Sequence, residues 1–129
     1  MSPLGGPVEV RVPARADALR ILRAVAAGVG ARLDLSIDAI DELRIAVDEA
    51  ATLLLRTTDD PVRLLLRLDP VGDALTVELS TDGRALVWPP DGVLDTWPWL
   101  VITGLVDEAD LVDTGSPTVR FRTRRQGAG

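Results

Sequence analysis

Interleaved hydrophobic periods along a chain of 129 residues predict an α/β two-layer sandwich: a mixed, mainly antiparallel sheet with helices packed on one face. Apolar residues alternate with polar ones in several short segments, as in half-buried strands, and recur every three to four residues in two longer ones, as on helices. The chain is 47% apolar, enough for one core, and one domain over residues 1–129 is expected, with its ordered part at about 8–124.

Val8-Glu9-Val10-Arg11-Val12 has the strand period, and Pro13 stops it. Leu19, Leu22, Val25, Val29 and Leu33 then form one helical stripe, with Arg15, Asp17, Arg20 and Arg23 mostly off it. Gly28 and Gly30 weaken the end of this helix. Ser36 is placed to cap a second helix, Asp38 faces the positive end of its dipole, and Ile37, Ile40, Leu43, Val47, Ala50 and Leu54 line its buried side.

Thr57 to Pro61 reads as a turn, and Val62, Leu64, Leu66 and Leu68 alternate with Arg63 and Arg67 in a second strand. Asp69 to Asp73 turns the chain back into a third strand, Leu75 to Ser80, to form an antiparallel hairpin. Three prolines and two glycines between Asp82 and Asp95 predict an irregular binding loop or lid. Trp99, Ile102 and Val106 mark a short third helix, and Leu111-Val112 with Pro117 to Thr123 closes a last hairpin around Thr114-Gly115-Ser116. The tail from Arg124 is expected to fray.

The composition excludes several chemistries. With no cysteine and no histidine, disulfides, thiolate nucleophiles, zinc fingers and imidazole bases are out, leaving carboxylates, hydroxyls and arginines. A net charge of -6 argues against direct nucleic-acid binding, and no apolar run is long enough for a membrane span. The first six residues lack the basic start and apolar middle of a signal peptide, so a cytoplasmic location is expected.

The element order, together with the second helix reading Asp41-Glu42-Leu43-Arg44-Ile45-Ala46-Val47-Asp48-Glu49-Ala50-Ala51-Thr52, resembles the anti-sigma-factor serine kinases of the GHKL ATPase superfamily. Gly28 to Leu33, the spacing to Ile37-Asp38 and the tract Trp99 to Glu108 are similar too, so the likeness runs from about Val8 to Arg124, strongest to mycobacterial-type anti-sigma-F factors. The resemblance implies the Bergerat fold, a homodimer, a sigma-factor partner and release by an anti-anti-sigma (STAS) protein.

It also implies which residues stand at the nucleotide positions. The family's helix carries Glu-Ala-x-x-Asn, a general base and a magnesium ligand; here the base position is Glu49 and the asparagine position is Leu53, which has no lone pair for a hard cation. The adenine-recognising Asp-x-Gly-x-Gly falls on Thr81-Asp82-Gly83-Arg84-Ala85, with Thr81 at the aspartate unless a one-residue slip brings in Asp82. The phosphate-cradling Gly-x-Gly falls on Thr96-Trp97-Pro98, where proline removes an amide donor. Each missing charge-assisted hydrogen bond weakens nucleotide binding by roughly 1.5–3 kcal/mol, so the expectation is a protein without an ATP or magnesium cofactor and without kinase activity. By the same resemblance Arg23, helped by Arg20 one turn away, is the arginine set against the sigma factor and the anti-anti-sigma protein.

Each feature also has a plainer reading. Glu49 shares its helix face with Asp48, Thr52 and Arg56, and a solvated carboxylate would look the same. Trp88 and Trp97 are either lid or core, Trp99 is core, and Arg120, Arg122 and Arg124 form the water-facing side of a strand. Arg23 itself could be a surface arginine with no duty. Three functions stay open: a sigma-factor-sequestering protein, an active serine kinase using Glu49 and Asp82, or a non-catalytic dimerisation or scaffold domain. An anti-anti-sigma protein is a fourth thought, but its fold alternates single helices with strands, whereas two helices follow one another here.

Overall fold

In the computed structural model, residues 4–124 are described. They run β1 (Val8–Pro13), α1 (Leu19–Arg32), α2 (Ile37–Thr57), β2 (Arg63–Val71), β3 (Ala74–Thr81), α3 (Trp97–Leu105), β4 (Glu108–Asp113) and β5 (Pro117–Arg124), with single 3-10 turns before α1 and α3. The five strands form one sheet in the order β1-β2-β3-β5-β4. Every pairing between these strands is antiparallel, where the sequence predicts a mixed sheet. The reason is the last crossover: β4 goes to the edge and β5 returns between β4 and β3, so no two neighbours run the same way.

The alternation read from the sequence sets the face of each strand. Leu64, Leu66, Leu68, Leu75, Val77, Leu79, Val119 and Phe121 point to the helices and are at most 1% exposed. Over them lie Leu22, Ala26, Val29 and Leu33 with Leu43, Ala46, Val47, Ala50, Leu53 and Leu54. Gly30 does not end α1 but packs against α2, where a Cβ would lie 3.1 Å from Ile40 Cγ1. Ser36 caps α2 as expected, its Oγ accepting from the Ala39 N–H at 3.1 Å.

Several details differ from the sequence reading, among them Val62, which is 63% exposed and precedes β2. Ile37 is 79% exposed rather than on the buried stripe, because it is the first residue of α2 and precedes the turns that pack on the core. Val25 is only half-buried, and α1 closes on the core through Leu19, Leu22 and Val29 of the expected stripe together with Ala26 and Gly30. Asp69, Pro70 and Val71 belong to β2 rather than to the turn, which is tightened to Gly72-Asp73 with Gly72 at φ 62°. Pro70 is tolerated there because β1 begins only at Val8, opposite Leu68, so no β1 residue on that side asks for its missing N–H.

On the open face, the register aligns Glu9, Arg67, Glu78, Arg120 and Asp110 in one row across all five strands, with charge alternating at each step. Arg67 Nη1 meets Glu9 Oε1 at 3.0 Å. Arg122 and Arg124 are exposed, as expected of a water-facing strand side, but Arg120 is half-buried, and its Nε lies buried with no partner among the described residues. Arg124 belongs to β5 and is fastened by its N–H to Asp107 Oδ2 at 2.7 Å, while residues 125–129, the rest of the expected fraying tail, lie outside the described residues. Among the described residues no helix is long and apolar enough to cross a membrane.

Candidate functional site

Helices α1 and α2 pack side by side and leave a cleft of about 500 Å³ on their outer surface, lined by Arg23, Asp41, Arg44, Ile45, Asp48 and Glu49. Arg23 comes from the first half of α1 and the other five from one face of α2, where residues three and four apart stand above one another. Arg23 Nη1 donates to Asp48 Oδ1 at 2.6 Å, with the two side chains 38% and 35% exposed. Arg44 Nη1 reaches Asp41 Oδ1 at a looser 3.4 Å. Arg20, one turn before Arg23, is exposed and lies outside the cleft.

Glu49 is half-buried at the edge of this cleft. Burial raises its pKa first, the neighbouring Asp48 charge raises it further, and Arg56 pulls it partly back. It is therefore more than a fully solvated carboxylate on an outer face.

The remaining positions singled out in the sequence are committed to structure. Leu53 is 1% exposed, its side chain among the core leucines. Thr81 Oγ1 donates to the Arg63 carbonyl at 3.0 Å and accepts from the Gly83 N–H at 3.1 Å. Asp82 Oδ1 accepts from the backbone N–H groups of Val62 at 2.9 Å and Arg63 at 3.0 Å, and these bonds lower its pKa, that of Arg63 most. Thr81 and Asp82 line a separate depression with Arg11, Arg63 and Ser80 on the open side of the sheet, away from Glu49.

Around them the chain is closed up. Asp59 and Arg84 exchange two backbone hydrogen bonds, 2.7 Å and 2.9 Å, which tie the end of α2 to the segment that follows β3. Gly83 is buried against Thr58. Thr96 Oγ1 donates to the Val93 carbonyl at 2.6 Å, and Pro98 is buried in the first turn of α3, where a missing N–H costs no helical bond. Trp88 Nε1 donates to the Val112 carbonyl at 2.8 Å, which pins the irregular loop to β4, whereas Trp97 is 72% exposed and Trp99 only 8%.

Sequence reasoning misses Asp48, Arg44 and Ile45 as members of the site. Asp48 reads there as part of a solvated face, because its partner lies 25 residues away on the other helix, beyond any local period.

An α/β two-layer domain, with a second-helix glutamate facing a cleft against the first helix, is the class of protein this geometry defines. The chain is 36% identical over 110 residues to the anti-sigma-F factor RsbW of Mycobacterium tuberculosis, in both the CDC 1551 / Oshkosh and H37Rv strains. The match covers 84% of this chain and 62% of those relatives, so the chain spans less than two thirds of their length. No protein-family model matches it. The chain is similar to these anti-sigma-F factors over most of its own length, the group to which its second helix bears the resemblance.

Proposed function

We propose that this protein sequesters an alternative sigma factor in the cytoplasm and is released by an anti-anti-sigma protein through competition for overlapping surface, without ATP. The observation that carries the reading is the 36% identity over 110 residues to proteins named anti-sigma-F factors. The sequestering form is a homodimer with β1, an edge strand, and α1 near the contact.

Support for independence from nucleotide comes from the residues themselves, which do not fit a magnesium–nucleotide complex. Leu53 offers methyl groups inside the core where a hard cation needs an oxygen, and Asp82 has its Oδ1 committed to two backbone amides. Thr96 and Pro98 stand where the resemblance places the flexible glycines that let a backbone approach phosphate. Binding then needs no covalent step; apolar anchors and arginine forks supply affinity.

An active serine kinase keeps one observation in its favour, the raised pKa of Glu49, because upward is the direction in which a carboxylate general base is tuned. Calorimetric titration with magnesium-ATP, followed on the same sample by sigma factors from the same genome, separates the two. No heat from ATP with submicromolar sigma-factor binding supports sequestration; a magnesium-ATP dissociation constant in the low micromolar range overturns the nucleotide-free reading.

A further inference from the structure

The arginine expected to face partners is already engaged. Its guanidinium is held by a carboxylate of its own chain, Asp48, at 2.6 Å in a half-buried setting. We propose that Asp48 is an internal competitor for Arg23, and that a protein partner docks on the α1–α2 cleft by substituting its own carboxylate for that of Asp48, which passes to Arg44. The proposal rests on the reading that this chain sequesters a sigma factor, and adds to it how the binding surface is opened.

Three features of the cleft point to such an exchange. A second carboxylate cannot approach Arg23 without meeting the charge of Asp48, which adds to burial in raising the pKa of Glu49 beside it. Asp48 has somewhere to go: Arg44 stands four residues earlier on the same helix, one turn away, and its present hold on Asp41 is long and exposed, at 3.4 Å with side chains 47% and 58% accessible. Ile45, 46% exposed between these charges, gives the cleft an apolar floor. The occupant that fits is a partner segment with an aspartate or glutamate next to an apolar side chain that covers Ile45.

A half-buried ion pair still this accessible to water weakens a competing partner by only about two- to fivefold, so Asp48 tunes affinity rather than blocking binding. It also discriminates, because a surface that brings no carboxylate must leave Arg23 on Asp48 and gains nothing from the guanidinium.

The test joins a readout that needs no partner to one that does. Phenylglyoxal adducts on Arg20 and Arg23 are followed by peptide mass spectrometry in the whole chain, as wild type and Asp48→Asn. Arg23 is expected to react more slowly than Arg20 in the wild type and at least about threefold faster once Asp48 is neutralised, because the guanidinium loses its shield. Sigma-factor titrations are then expected to show about two- to fivefold tighter binding for Asp48→Asn and weaker binding for Arg44→Gln, which takes away the receiver of Asp48.

Equal adduct rates at Arg23 with and without Asp48, or weaker sigma-factor binding by Asp48→Asn, would overturn the proposal. If no sigma factor binds either form, the sequestering role falls, while the adduct rates still decide whether Asp48 shields Arg23.

Discussion

Gly83 lies so close to Thr58 that a Cβ at that position would stand 2.5 Å from Thr58 Oγ1 and 2.8 Å from its Cβ. The Thr58 hydroxyl is fixed in turn by donating to the Leu54 carbonyl at 2.7 Å, so it has no room to yield. The glycine that the resemblance aligns with an adenine-recognising element is thus held by packing between the end of α2 and the segment after β3.

Gly83→Ala is therefore expected to destabilise the fold by about 1–3 kcal/mol, the usual cost of overfilling a closed contact. Urea denaturation followed by far-ultraviolet circular dichroism measures it. An unchanged midpoint would mean that the Asp59–Arg84 bridge relaxes freely.

Asp82 makes a prediction with a definite pH direction. Its folded pKa lies below the ordinary 3.8 because its carboxylate accepts from the Arg63 and Val62 amides. The stabilisation is present above the unfolded value and lost as pH falls through the lowered folded one. Asp82→Ala is expected to lower the urea midpoint at neutral pH, and the gap from wild type should close as pH drops below about 4. Urea midpoints at pH 7 and pH 3 test this.

Glu49 carries the opposite sign. Burial and Asp48 raise its folded pKa above 4.5, so its contribution to stability is present below that value and lost as pH rises through the folded one. Glu49→Gln is expected to match or exceed wild-type stability at pH 7 and to lose the advantage in acid. The same variant would abolish phosphoryl transfer to a partner if Glu49 were a general base, so a radiolabelled-phosphate assay on wild type and variant reports on the kinase alternative as well.

What is legible in the sequence follows from the range of each signal. The strand faces can be read because burial alternates residue by residue, as in Leu64, Leu66 and Leu68, and the α2 cap can be read because Ser36 and Ala39 are three apart. The extent of β2 escapes such reading because Asp69-Pro70 has turn chemistry locally, while its place beyond the start of β1 is a fact of pairing. The cleft is half legible: resemblance singles out Glu49 and Arg23, but the bond of Arg23 to Asp48 joins two helices across 25 residues. The burial of Leu53 and the commitment of Asp82 to β2 likewise depend on tertiary closure.

Leu53 gives the sharpest test of whether the nucleotide site can be rebuilt. It stands where the resemblance places a magnesium-binding asparagine, yet it is 1% exposed and shares a continuous core with Leu54, Leu64 and Leu79. Leu53→Asn deletes core volume and buries an amide with two donors and an acceptor to satisfy. The loss is expected to be about 3–5 kcal/mol, large against a typical domain stability of roughly 5–15 kcal/mol. A urea midpoint shifted strongly downward, with no heat on adding magnesium-ATP, fits a position converted to core. A variant that keeps the wild-type midpoint and binds magnesium-ATP would mean that α2 can turn this position outward, leaving the site one substitution away from its ligand.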